Sequence, residues 1–312
     1  MENNGSWERD VIIQLATSAL AEQKAARRWR IFFRASTLLI VFVIAWWVLV
    51  KESGKNISSG GKHTAEVQLK GEISSDNTSA EKIIQGLDDA YDDPNTVGVI
   101  LRINSPGGSP VQAGQIYDEI KRLRKAHPSV PIYSVVEDLC ASGAYYVAAA
   151  TDKIYVDKAS IVGSIGVIMN GFGFTDTMKK LGVERRLIIA GENKAFLDPF
   201  SPENPKQMSY AKNMLEEIHQ QFIQAVRTGR GERLHETPDM FSGLVWTGEK
   251  SIQLGLTDGL GNVKSVAKDV IKAKNIVDFT PTEDITDRLA KRLGSTESHI
   301  SWQSVLGLFS IN

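Results

Sequence analysis

Short apolar runs alternate with helix-forming segments along most of this chain, and that alternation limits the fold more than any other feature. A strand near Ala65–Lys70 is followed by a helix opening at Thr78-Ser79-Ala80-Glu81, whose spacing is that of a capping box. Residues 97–103 then read as a strand, Pro110 to Ala126 as a helix and Pro131–Val136 as a strand. The series continues with a helix from Ser142, strands at Lys153–Val156 and Gly163–Met169, a helix near 175–181 and a strand at Glu184–Ala190. A long helix over 205–228 follows, with Met208, Leu215, Ile218, Phe222 and Val226 as its expected buried stripe. Elements at 249–256 and 262–274 finish the series. Strands separated by helices pair in parallel, so the expected fold is α/β, with stacked βαβ units around a mostly parallel sheet.

The amino-terminal fifty residues differ in kind. From Ala35 to Val50 the chain carries no charge, and counting back to Ile31 gives a stretch of 20 residues, 31–50. That length spans a bilayer if Arg34 reaches back to the interface, where Trp46 and Trp47 would anchor the other end. Lys24, Arg27, Arg28, Arg30 and Arg34 before the run, against Lys51 and Lys55 after it, place the amino terminus in the cytoplasm. The sequence Lys51-Glu52-Ser53-Gly54 lacks a small-x-small cleavage pattern, so an uncleaved single-pass anchor is expected. Ahead of it, Ile12, Leu15, Ala16, Ala19 and Leu20 share one helical face. The expected organisation is a cytoplasmic tail at 1–30, a transmembrane helix at 31–50, a Gly- and Ser-rich linker at 51–64, the main domain at 65–275 and a tail at 276–312. In that last tail Ile285, Leu289 and Leu293 form one stripe and Trp302, Val305, Leu306 and Phe309 another.

A formal charge of −1 over 312 residues argues against a general polyanion binder, so nucleic acid is not an expected partner. Cys140, the single cysteine, cannot form an internal disulfide and reads as a small buried residue. No metal-ligand spacing and no phosphate-binding glycine fingerprint is present, so neither a metal nor another cofactor is expected.

The chemistry is carried by two small-residue segments. Ser142 lies in Cys140-Ala141-Ser142-Gly143-Ala144-Tyr145-Tyr146-Val147, where an apolar helix-forming run begins. The loop Asn104-Ser105-Pro106-Gly107-Gly108-Ser109 follows the strand at 97–103, and its glycines let the backbone approach a ligand and offer bare N–H donors. A nucleophile on one turn and donors on another are the parts of an acyl-transfer site. A base for the serine is less legible. His63, His127, His219, His235 and His299 stand in no motif-like setting. A desolvated lysine can serve instead, since burial lowers a lysine pKa from about 10.4. Lys194 lies on a loop with apolar neighbours, but chemistry alone does not separate it from Lys153, Lys158 or Lys179.

Four ordered blocks do separate them. The run Asn104–Ser109, the segment Ala141–Ala150 with Asp152-Lys153-Ile154, Gly163-Ser164-Ile165-Gly166-Val167, and the loop Gly191–Lys194 followed by Ser201-Pro202 resemble the signature blocks of the signal peptide peptidase A family. That family comprises membrane-anchored serine–lysine peptidases related in fold to Clp-type proteases and crotonases. The resemblance covers residues 65 to 275 and, with one serine block and one lysine block, is to the short form. It implies Ser142 as nucleophile, Lys194 as general base, Ser164 as the hydroxyl orienting the lysine amine, and the backbone N–H groups of Gly107 and Gly143 as the oxyanion hole. It further implies a homo-oligomeric ring in which a neighbour supplies the lysine. The substrates implied are remnant signal peptides and other apolar peptides on the extracytoplasmic side of the bacterial inner membrane. Two other functions are weighed against it: a crotonase-like acyl-CoA enzyme, which an exported domain disfavours, and a non-catalytic membrane scaffold, which the presence of both Ser142 and Lys194 disfavours.

Overall fold

In the computed structural model, which describes residues 27–43, 46, 61–75 and 78–281, the apolar runs become strands of one sheet. They are β1 (His63–Lys70), β2 (Thr96–Ser105), β3 (Ile132–Ala141), β4 (Lys153–Val156), β5 (Ile161–Gly163), β6 (Val245–Thr247), β7 (Gly259–Leu260) and β8 (Ile276–Asp278). The order is β6-β5-β3-β2-β1-β8, with β4 pairing β3 and β7 pairing β4. Only the β5–β6 pairing is antiparallel among the described residues. The strand β3 pairs twice along one edge, through Tyr133–Val135 with β4 and through Leu139–Ala141 with β5. Its second pairing holds β5 beside the carboxyl ends of β2 and β3, the end of a parallel sheet where crevices open.

A helix over 27–43, α1, belongs to a separate amino-terminal unit. The sheet is joined by α2 (Ala80–Asp92), α3 (Pro110–Ala126), α4 (Gly143–Ala148), α5 (Thr175–Lys180), α6 (Pro205–Arg230), α7 (Gly248–Gln253) and α8 (Val263–Ser265), the last continuing as a π-turn to Ile271. Ser79 caps α2 by accepting from the Lys82 N–H, while the Thr78 hydroxyl donates to the Lys70 carbonyl; the cap therefore sits one residue later than the capping-box spacing suggests. Ser109 caps α3 in the same way, with Pro110 in its first turn. Val67, Leu69, Leu101 and Ile103 meet Ile83 and Ile116 in one large apolar core. Ile100 and Val135 pack with Val266 and Ala267 in a second, smaller cluster, so apolar residues of the central strands are buried in two separate clusters.

One buried charge pair ties the late elements to the sheet. Arg230, at the end of α6, is 1% exposed and donates to the Gly255 carbonyl at 2.8 Å and to Asp258 Oδ2 at 2.7 Å. The same oxygen accepts the Ile154 N–H of β4 at 2.7 Å, and Arg233 reaches Oδ1 at 3.0 Å. Burial pushes the Asp258 carboxyl up, but the hydrogen bond and charge of Arg230, the Ile154 N–H and Arg233 together hold it below the usual aspartate value.

Three expectations change. The strand expected at Gly163–Met169 is confined to Ile161–Gly163, because the backbone turns to φ +51° at Ser164. No strand forms at 184–190, where the backbone finds no neighbouring strand to pair with. In α6, Phe222 and Val226 are buried as expected, but Met208 is exposed and Leu215 and Ile218 are half-buried, since only its carboxyl-terminal half packs on the core. At the far end, β8 pairs with β1 and the Phe279 N–H donates to the Glu66 carbonyl, so the sheet runs a few residues past position 275.

The expected membrane span at 31–50 lies partly outside the described residues, and 1–26, 51–60 and 282–312, with the helical faces expected at 12–20, 285–293 and 302–309, lie wholly outside them. No helix of the described residues is long and apolar enough to cross a membrane.

Asp258→Asn should destabilise the main domain by about 3–5 kcal/mol at neutral pH, measured by denaturant unfolding, because it leaves Arg230 buried against a neutral partner. A carboxyl with a depressed folded pKa stabilises fully above its unfolded value of about 3.9, and that contribution is lost as pH falls through the folded value. The difference between wild type and variant should therefore shrink as the solution is taken below about pH 4.

Candidate active site

The carboxyl end of β2 leads into Pro106-Gly107-Gly108, where both glycines have positive φ, +96° and +143°. The loop after β1 clamps this turn: the Ile73 N–H donates to the Gly107 carbonyl at 2.8 Å and the Ile73 carbonyl accepts from the Ser109 N–H at 2.9 Å. A Cβ on Gly108 would lie 2.2 Å from the Ile73 carbonyl oxygen, so only glycine fits there.

The end of β3 leads into Ser142, held at φ 53° and ψ −127° before α4. A non-glycine residue in that region carries roughly 1–3 kcal/mol of strain. The surrounding backbone enforces it. The Ser142 N–H donates to the Gly163 carbonyl at 2.8 Å, and the Ser142 carbonyl accepts from Tyr145 and Tyr146 at 2.9 and 3.0 Å. The buried Tyr145 ring fixes α4 by donating its hydroxyl to the Leu256 carbonyl at 2.7 Å. The half-buried Ser142 hydroxyl has no hydrogen-bond partner among the described residues. A strained strand-to-helix turn presenting an unengaged hydroxyl is the geometry of a nucleophile elbow.

The two turns touch. A Cβ on Gly107 would lie 2.6 Å from Gly143 N and 2.8 Å from Ser142 Cβ. The Gly107 N–H is engaged by Ser105 Oγ at 3.2 Å. No hydrogen bond among the described residues uses the N–H of Gly108 or Gly143, and a Cβ on Gly143 would lie 3.4 Å from Gly108 N. The free donors next to Ser142 are thus those of Gly108 and Gly143. A hydroxyl and two such donors can attack a carbonyl and hold the resulting oxyanion.

Beyond β5, Gly163 and Ser164 have φ of +114° and +51°. The Ser164 N–H donates to the Leu244 carbonyl at 2.8 Å, and the Ile165 carbonyl accepts from His219 Nε2 at 3.1 Å. The Ser164 hydroxyl is half-buried without a partner among the described residues. Backbone bonds and close approach therefore bring Ser142, Gly107, Gly143 and the Gly163–Ser164 turn together.

Lys194 is not drawn into this group within one chain. It sits on an exposed turn, its N–H bonded to the Gly191 carbonyl at 3.0 Å, and its side chain makes no hydrogen bond or ion pair among the described residues. Its segment exposes Ile168 at 85%, Phe172 at 81%, Leu181 at 72% and Ile188 at 97%. This arm is stitched mainly to itself, with Asp198 accepting from Ser201 at 2.7 Å and facing Arg185 at 3.4 Å, and Phe174 stacked on Phe200. Lys153, Lys158 and Lys179 are also exposed. Of the histidines, His63 is buried at the far end of β1 against Phe279, and His299 lies outside the described residues. Cys140 is fully buried, and burial pushes its thiol well up, which suits the packing role read from the sequence.

Sequence reasoning missed Ile73 and Trp246, gave Ser105 no role of its own within its block, and set His219 aside, yet all four shape the site. Their signal is tertiary: three of them act through backbone carbonyls or N–H groups of segments distant in the chain or across a turn.

Peptidase family S49 matches residues 124–277, a stretch that holds Ser142, Ser164 and Lys194. A Methanocaldococcus jannaschii protein named as a protease is 33% identical over 258 residues, covering 77% of this chain and 82% of that one. An Enterococcus faecium protein named as the signal peptide peptidase SppA is 26% identical over 228 residues, 72% of this chain and 65% of its own. A Brucella abortus protein named as the Na(+)/H(+) antiporter NhaA is 45% identical over 194 residues, 61% of this chain. The match takes in 26% of that antiporter, so this chain spans about a quarter of its length. With the family pattern and a protease relative a third identical over most of both chains, the chain belongs to peptidase family S49, the signal peptide peptidase A family.

Proposed function

We propose that this chain is a membrane-anchored serine endopeptidase with a Ser142–Lys194 dyad, which degrades cleaved signal peptides and other apolar peptides on the extracytoplasmic side of the inner membrane. The observation that carries the reading is Ser142 itself: a strained turn presents its free hydroxyl beside the unengaged N–H groups of Gly108 and Gly143. In this reading neutral Lys194, oriented by the Ser164 hydroxyl, takes the Ser142 proton as the oxygen attacks a peptide carbonyl. Gly143 and the Gly107–Gly108 loop, through its free Gly108 N–H, hold the tetrahedral oxyanion, and the lysine returns the proton to the leaving amine. Water then releases the acyl group by the reverse route.

Two features support the expected assembly and anchorage. Lys194 rides on an exposed apolar arm, of a kind that monomers seldom leave in water, and the chain has one serine block and one lysine block. A closed ring in which each arm delivers its lysine to a neighbouring Ser142 covers that surface and completes every site. Phe32, Phe33, Leu38, Leu39 and Phe42 are all more than half exposed on α1, which suits apolar surroundings better than water.

Ser142→Ala and Lys194→Ala should each reduce peptide hydrolysis by about 10³-fold or more while leaving the fold intact, and the double variant should be no worse than either, since the two act as a unit. Retention of near-wild-type turnover by purified Ser142→Ala would sink the assignment. Mixing Ser142→Ala and Lys194→Ala chains during assembly should restore part of the activity, because some interfaces then pair an intact serine with an intact lysine. Mixed oligomers verified by mass yet inactive would place the dyad within one chain.

Protease added to cells with a permeabilised outer barrier should cut the region after residue 64 and spare only the cytoplasmic tail and span. Protection of Ser142-containing fragments until the inner membrane is lysed would reverse the orientation.

A further inference from the structure

The geometry assigns Trp246 a role in the reaction: we propose that it is a positioning residue that holds Ser142 and Ser164 in place through Gly163. The proposal rests on the reading of Ser142 as nucleophile.

Gly163 is the point where the site hangs on its neighbouring strand. Its carbonyl accepts the Ser142 N–H at 2.8 Å, and the next residue is Ser164. On its other side it faces β6, with Val245 opposite Gly163 and Trp246 opposite Val162. The segment leading into β6 runs on alongside, for the Ser164 N–H meets the Leu244 carbonyl and a Cβ on Gly166 would lie 3.2 Å from Gly243 Cα. Within that wall Leu244 and Val245 are each 51% exposed, whereas Trp246 packs against the main core. Its indole edge lies against Gly163, since a Cβ there would come within 3.0 Å of Trp246 Cδ1 and 3.4 Å of Nε1. The ring occupies the space that a side chain at 163 would need. It thereby ties the core to the turn, whose φ angles of +114° and +51° set the direction of the Gly163 carbonyl and the Ser164 side chain.

A second observation concerns the ring's polar atom. Trp246 Nε1 is buried and has no hydrogen-bond partner among the described residues. Buried indoles normally find an acceptor, and an unpaired buried donor disfavours the folded state. Phenylalanine would fill much of the same space without that defect. What the ring contributes at this position is therefore its packing against Gly163 and the core rather than a hydrogen bond.

The test uses the full-length protein in its native assembly, with Trp246→Ala and Trp246→Phe compared for folding, peptide turnover and the rate at which a fluorophosphonate phosphonylates Ser142, with loss of fluoride. The alanine variant should lower kcat and the phosphonylation rate by about 10- to 100-fold with KM changed by less than about threefold, the signature of misplaced reacting groups rather than lost binding. The phenylalanine variant should recover most of both rates and match or exceed wild type in thermal midpoint, since it restores the packing and removes the orphan donor. If the alanine variant proves too unstable to assemble, Trp246→Leu takes its place in the same comparison. An alanine or leucine variant phosphonylated at the wild-type rate, a loss accounted for by the unfolded fraction, or a phenylalanine variant no better than alanine would each overturn the proposal. Wild-type protein unlabelled at Ser142 would instead overturn the reading of the site, which separates the two failures.

Discussion

The approach of two backbone turns at the carboxyl ends of adjacent parallel strands is the contact on which the proposed site depends. Gly107 and Ser142 come so close that a single Cβ on Gly107 would lie 2.6 Å from the next amide nitrogen, Gly143 N. Parallel pairing of β2 with β3 makes this approach possible, because it brings both strand ends to one edge of the domain. Glycine permits the contact and leaves N–H groups uncovered, the donors that the proposed mechanism uses. The strain at Ser142 is sustained by hydrogen bonds on two sides and packing on a third: Gly163 accepts from its N–H, Tyr145 and Tyr146 donate to its carbonyl, and the Gly107 loop fills the space beside it.

Around this contact the fold is arranged as a series of braces. Ile73 clamps the glycine loop through two backbone bonds, and Tyr145 anchors α4 to the Leu256 carbonyl. The Leu256 segment is in turn set by Arg230 and Asp258, which bind Gly255 and β4. A buried ion pair adds little net stability by itself, since desolvation offsets its attraction. What it supplies here is connectivity, since α6, β4 and the segment before β7 meet at one carboxylate. These contacts explain how a serine can be held in an unfavourable conformation although β5 and β6, the strands beyond Gly163, are only three residues long.

The arm that carries Lys194 obeys a different logic. Its apolar residues are turned outward, and the strand that its sequence favours at 184–190 lacks a partner. An extended segment without a neighbour leaves its N–H and C=O groups to water, so strand propensity alone cannot produce a strand. Both facts suit an arm completed by another copy of the chain, and the proposed delivery of the lysine across a subunit boundary follows from the same surface.

How much of this was legible in advance can be read from particular residues. Alternating apolar runs determined the parallel α/β architecture, and small-residue segments singled out Ser142 and the Gly107–Gly108 turn, because backbone proximity demands glycine in any fold. Helix α3 follows from Ser109 and Pro110, whose capping chemistry is local. The tertiary structure alone decided which loop amides are free, since the engagement of Gly107 by Ser105 Oγ depends on how the turn closes. It alone decided that β5 stops at Gly163, that Trp246 and His219 flank the turn after it, and that Arg230 is buried on Asp258. The division has one physical cause. Periodicity and turn chemistry act between residues a few positions apart and are written in the sequence, whereas hydrogen-bond partners and close contacts across dozens of residues exist only once the chain has folded back on itself.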